Sequence, residues 1–193
     1  MTTRTQIPLR LLFSQTPIVP AVRNAEQLER ALATPAKLVY VLAGDPESCA
    51  PTLSRITAAG KVPILNLDLM SGLSRDRHAV NFLRSCGARG IISTHLDALR
   101  HAHSQGMYAV QRTFLVDSGA VDAILTQLKN SPIDALEVLP ALVAPKLLAR
   151  VRPVAPELPV MGGGLLHTLK EVESLLEAGL SAVSVSNPQM WIC

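Results

Sequence analysis

Short apolar runs and segments of helical period alternate along nearly the whole chain. The runs, at 17–22, 37–43, 63–69, 90–94, 107–112, 135–139, 159–162 and 182–186, are dominated by Val, Ile, Leu and Ala. Runs of that length and content predict strands buried on both faces. Between them, apolar positions recur at helical spacing over 24–33, 47–60, 75–87, 97–105, 119–129, 144–154 and 168–178. Those segments predict seven helices, each laying one stripe on the strands.

Several boundaries carry their own mechanism. Thr168 with Glu171 matches a capping box, and Asn24 with Gln27 matches its amide variant. Gly60, Gly87, Gly106 and Gly179 each stand just past a helical segment, where a left-handed residue ends the helix.

Regular strand–helix alternation implies a parallel sheet with right-handed crossovers. Eight repeats favour closure, so the expected fold is an α/β single-domain (β/α)8 TIM-type barrel with short loops. Residues 1–193 form that one domain, with 1–16 as an N-terminal extension. An open doubly wound sheet is the competitor, because barrels usually need ~250 residues.

In a barrel, one strand face meets the helices and the other points inward. In Ile64-Leu65-Asn66-Leu67-Asp68-Leu69 the leucines belong outside, which turns Asn66 and Asp68 inward. Likewise Leu136 and Val138 face helices and leave Glu137 inside, while Val183 and Val185 leave Ser184 and Ser186 inside. The fourth and fifth strands end in Ser93-Thr94-His95 and Gln111-Arg112. Asn66, deep in its strand, reads as part of a self-satisfied network. Asp68, Arg112 and Glu137 read as a site, because three buried charges are costly without a task.

Met161-Gly162-Gly163-Gly164-Leu165-Leu166-His167-Thr168 follows the seventh strand, and Ser186-Asn187-Pro188 follows the eighth. Glycines let the backbone approach an anion and present N–H groups, and a capped helix start adds partial positive charge. Barrel phosphate sites often use these two loops. Lys146, after Pro145, reads as an anion contact. His95 is an even choice between ligand contact and surface residue. His78, His101 and His103 read as solvated, and His167 reads as a turn residue.

Composition narrows the class. Of 193 residues, 48% are hydrophobic and 17% charged, which excludes disorder; aromatics are 3%, so the core is aliphatic. No run approaches the ~20 residues of a membrane span, and Arg10 interrupts the apolar start, so neither span nor signal peptide is expected. Cys49, Cys86 and Cys193 lack metal spacing and read as reduced thiols in a cytoplasmic protein with no metal and no cofactor. The net charge of +3 permits RNA or an anionic ligand without selecting either.

At the site residues the sequence resembles a known family, the glycerol-uptake operon antiterminators. The resemblance is carried by Asp68-Leu69-Met70-Ser71-Gly72-Leu73, Gly90-Ile91-Ile92-Ser93-Thr94 and Gln111-Arg112-Thr113-Phe114-Leu115-Val116-Asp117-Ser118. It continues through Glu137-Val138-Leu139-Pro140, Pro145-Lys146, Gly163-Gly164-Leu165 and Ser186-Asn187 to Trp191. The resemblance implies a non-enzymatic, cytoplasmic barrel that binds glycerol-3-phosphate. Such a protein acts on the leader mRNA of glycerol uptake and metabolism genes, so that transcription passes a terminator. By position, Gly163, Gly164, Ser186 and Asn187 would hold phosphate. Asp68, Arg112 and Glu137 would line the rest of the pocket, joined as ligand contacts by Thr94, Gln111 and Lys146. Ala141 stands where the family commonly has glycine, and the stretch to Lys146 is one residue longer.

A second reading, from the residues alone, is a phosphate-binding barrel enzyme of isomerase or synthase type, with Asp68 and Glu137 as acid and base. RNA binding rests on the resemblance, because Phe13, Phe82, Phe114, Tyr40, Tyr108 and Trp191 are scattered and form no stacking strip. A small barrel with apolar helix faces is compatible with a homodimer.

Overall fold

The computed structural model describes residues 6–191, so Cys193 lies outside the described residues. Eight strands form the barrel: β1 (Ile18–Val22), β2 (Leu38–Val41), β3 (Val62–Asn66), β4 (Gly90–Ser93), β5 (Tyr108–Phe114), β6 (Ala135–Leu139), β7 (Val160–Gly163) and β8 (Ala182–Val185). They pair in sequence order, all parallel, and β8 returns to β1. Closure leaves no edge strand with unpaired backbone groups.

Seven helices fill the connections: α2 (Ala25–Leu32), α3 (Pro46–Ala58), α4 (Arg77–Ser85), α5 (Leu96–Ser104), α6 (Ser118–Asn130), α7 (Ala144–Val151) and α8 (Leu169–Glu177). Their starts follow the caps expected from the sequence. Thr168 and Glu171 complete a reciprocal capping box on α8. Asn24 accepts from Gln27 N, while the Gln27 side chain reaches one residue further back, to Arg23 N. Gly60, Gly87, Gly106 and Gly179 all have positive φ after their helices.

Strand alternation sorts the core into two layers. Leu65, Ile91, Ala109, Leu136, Val138, Val183 and Val185 pack outward against the helices. Val19, Ala21, Tyr40, Ile64, Ile92, Val110, Met161 and Ala182 fill the interior. A further helix, α1 (Leu9–Gln15), lies in the stretch read as an extension. Its Leu9, Leu12 and Phe13 are buried against that interior set, and Tyr108 donates to the Ile7 carbonyl at 2.6 Å. The helix therefore closes the amino-terminal end of a barrel whose interior is apolar there.

Two local expectations change. The third strand ends at Asn66 rather than Leu69, and Leu67–Leu69 form a 3-10 turn. The cause is the Asn66 side chain, whose Oδ1 accepts from Asp68 N at 3.0 Å and turns the chain back on itself. Asp68 therefore leaves the inward row. The fifth strand runs on to Phe114, and its period places Arg112 inward with Val110, which sends Gln111 outward with Ala109.

Candidate ligand-binding site

The carboxyl ends of β5 to β8 carry a buried polar cluster. Register places Arg112 beside Glu137, and Gly163 beside Ser184. Arg112 Nε donates to Glu137 Oε2 at 2.7 Å, and Ser184 Oγ donates to Glu137 Oε1 at 2.6 Å. The Glu137 side chain is 0% exposed and that of Arg112 only 10%. Such a pair persists only with good geometry and further hydrogen bonds, both present here. Beneath it, the Tyr40 hydroxyl contacts Met161 Sδ at 3.0 Å. Burial, reinforced by the Glu137 charge, pushes the Tyr40 pKa well up, so this hydroxyl stays neutral.

Gly163 is required by this cluster. A Cβ there would stand 2.6 Å from Ser184 Oγ and 2.9 Å from Glu137 Oε1. Beyond it, Gly164 has φ +75° and Leu165 φ 56°. A left-handed leucine costs roughly 1–2 kcal/mol and marks a conformation imposed by its surroundings. Leu165 is also largely exposed. No hydrogen bond among the described residues uses the N–H groups of Gly164, Leu165, Ser186 or Asn187. These four donors lie on the two adjacent loops after β7 and β8. Asn187 also caps the short 3-10 turn Pro188–Met190.

A second polar group sits above β3 and β4. Asp68 accepts from Ser93 Oγ at 2.5 Å and from Thr94 N at 2.7 Å, with His95 Nδ1 at 3.3 Å. Burial pushes its pKa up, but the hydrogen bonds from Ser93, Thr94 and His95 together outweigh burial and hold it below the ordinary value. Asp68 thus ties the end of β3 to the start of α5, and its oxygens are largely committed.

Asn66 lies on the inward row, fully buried, and its Nδ2 has no partner. A buried orphan donor costs about 1–3 kcal/mol. Read from sequence as self-satisfied, it carries an unmatched buried donor, as Gln111 carries an unmatched buried acceptor. The inward parity of Asn66, shared with Arg112 and Glu137, was the available signal. Gln111 is buried on the other side of the sheet, donating to Gln127 on α6 at 2.6 Å, so it does not join the mouth. Lys146 is exposed in the first turn of α7, and Thr94 is exposed beside His95. Among the described residues no hydrogen bond or ion pair joins either one to Arg112 or Glu137.

A concavity of about 1440 Å³ opens at the opposite end, between the carboxyl ends of α3, α4 and α5. Arg84, Arg89 and His103 line it, yet three helix carboxyl termini give it the wrong polarity for a buried anion. Among the described residues no group of three or more His, Cys, Asp or Glu is placed to hold a metal, and no helix is long and apolar enough to cross a membrane.

Fold and site together define a closed parallel barrel with a buried polar cluster at the carboxyl ends of β5 to β8. Residues 18–191 match the family of glycerol-3-phosphate responsive antiterminators, and the chain belongs to that family. A solved glycerol uptake operon antiterminator regulatory protein from Listeria monocytogenes is 30% identical, with TM-score 0.86, covering 93% of this chain and 96% of that one. An antiterminator-related protein from Thermotoga maritima is 29% identical, with TM-score 0.82, covering 90% and 96%. An uncharacterized Escherichia coli protein, YgcP, is 31% identical over 186 residues, 96% of each chain. Aldolase barrels match at 11–15% identity and share the fold alone. The family is regulatory, so the chain is a regulator and not an enzyme.

Proposed function

We propose that this protein binds glycerol-3-phosphate at the carboxyl ends of β6 to β8 and, so loaded, binds the leader RNA of glycerol uptake and metabolism genes in the cytoplasm, letting transcription pass a terminator. The observation that carries the ligand half is the set of unclaimed N–H groups at Gly164, Leu165, Ser186 and Asn187 beside the Arg112–Glu137 pair. A phosphate dianion answers those donors, and the pair lies where the glycerol end would reach.

The RNA half is supported by family membership and by the layout of the mouth. Phe114 at the end of β5, and Leu142 and Leu165 on the loops after β6 and β7, are exposed around that mouth. A ligand gripping the Gly164–Leu165 backbone acts directly on that rim. Coupling is reciprocal: if the ligand favours an RNA-competent state, RNA tightens the ligand by the same factor.

The test is RNA binding with and without glycerol-3-phosphate, at two salt concentrations, beside thermal melts with glycerol-3-phosphate and with glycerol. The phosphate ester should stabilise the fold by about 2.7 kcal/mol at a hundred times its dissociation constant, and glycerol should do little. RNA affinity should rise with ligand and fall with salt. Equal stabilisation by glycerol would refute the phosphate site, and ligand-independent RNA affinity would refute the coupling.

A further inference from the structure

We infer that Asn66 and Glu137 together read the diol end of the ligand, selecting a phosphorylated polyol and rejecting a phosphorylated carboxylate. The inference rests on the phosphate site proposed above and assigns the recognition at the far end of the same pocket.

The two side chains offer opposite chemistry on the inward row. Asn66 Nδ2 is a fully buried donor without a partner. Its Oδ1 is already used by Asp68 N, which fixes the amide so that the donor end cannot be swapped for the acceptor end. Glu137 is a fully buried carboxylate whose oxygens accept from Ser184 Oγ and Arg112 Nε. Each carboxylate oxygen has a second acceptor site. Register pairs Asn66 with Ile92 and Ile92 with Val110, and the stagger of a closed barrel, about one residue per strand, brings Arg112 level with Asn66, so the amide lies in the same inward layer as the guanidinium.

A hydroxyl both donates and accepts. One hydroxyl can accept from Asn66 Nδ2 while another donates to Glu137, leaving no polar group unmatched. A ligand carboxylate brings acceptors only, and a second negative charge. Arg112 is already neutralised by Glu137, so the pocket floor holds no unbalanced cation for it. Buried like charges at close range cost several kcal/mol, which makes rejection strong.

The experiment measures binding of three phosphate esters to the full chain by calorimetry: glycerol-3-phosphate, ethyl phosphate without the diol, and 3-phosphoglycerate with a carboxylate. In the wild type, ethyl phosphate should bind roughly tenfold more weakly, because it leaves buried polar groups unmatched, and 3-phosphoglycerate roughly a hundredfold more weakly. Asn66→Ala should lower glycerol-3-phosphate affinity roughly tenfold and leave ethyl phosphate unchanged. Asn66→Asp keeps an acceptor for Asp68 N, removes the donor, and should lose at least as much. A fall shared equally by both esters in these variants would mark Asn66 as merely structural and overturn the inference, as would wild-type binding of 3-phosphoglycerate within tenfold of glycerol-3-phosphate. If both variants fail to fold, the wild-type ranking of the three esters still decides. If no ester binds the wild type at all, the phosphate site itself is wrong and the inference falls with it.

Discussion

Replacing Gly163 by alanine adds one methyl group at a crowded point of the barrel. The new Cβ would meet Ser184 Oγ at 2.6 Å and Glu137 Oε1 at 2.9 Å, with Glu137 Cδ at 3.4 Å. Ordinary contacts between such atoms begin near 3.4 Å, so two of the three must move. Ser184 can rotate away only by giving up its 2.6 Å bond to Glu137, and Glu137 can retreat only by stretching its 2.7 Å bond to Arg112. Overpacking costs about 1–3 kcal/mol, and a lost hydrogen bond to a buried charge about 1.5–3 kcal/mol. The two costs overlap, since either movement relieves part of the crowding, so a net loss of about 2–5 kcal/mol is expected. For a chain of this size that lowers Tm by about 5–15 °C. Urea unfolding of Gly163→Ala, Ser184→Ala and the double variant measures it. Ser184→Ala removes the closest atom, so the double variant should be less destabilised than the sum by about 1–2 kcal/mol. A cost below about 1 kcal/mol for Gly163→Ala, or strict additivity, would show that the glycine is not held by this contact.

Other expectations follow from the same geometry. Glu137→Ala strands Arg112 in a site where its side chain is only 10% exposed, and should cost about 3–5 kcal/mol by denaturation. Because the Asp68 pKa is held low when folded, its contribution is present above the ordinary aspartate range and lost as pH falls through the folded value; the stability difference between wild type and Asp68→Asn should therefore shrink on acidification below that range. A gap that widens in acid would contradict the hydrogen-bond assignment. Thr168→Ala removes the acceptor for Glu171 N and should cost about 1 kcal/mol, read from urea midpoints. Phe13→Ala should cost about 3–5 kcal/mol if α1 closes the barrel, and little if α1 is dispensable.

The barrel was legible because its elements obey strict periods. Branched runs at eight near-regular intervals leave few other ways to bury both strand faces, and the glycines after α3, α4, α5 and α8 fall where left-handed stops are needed. Parity within a strand was also legible: Leu136 and Val138 outward fixed Glu137 inward, whereas its pairing with Arg112 came from the register of β5 on β6. Parity fails where a strand ends. Asp68 was placed by extending the alternation two residues past Asn66, but a side-chain bond from Asn66 to Asp68 N had already turned the backbone. The residue that broke the pattern is the one left with an unmatched donor, and no sequence period records whether an amide finds a partner. Gln111 shows the complementary limit. Two consecutive strand residues cannot both face the pocket, so admitting Arg112 required sending Gln111 toward α6. The α1 plug was illegible for a different reason. Its seven residues are too few for a helical stripe to stand out, and what fixes them is the open apolar end of a barrel built by residues far along the chain. What the chain can recognise is thus set by inward parity at the strand ends, whereas local side-chain hydrogen bonds decide which polar atoms remain free to do it.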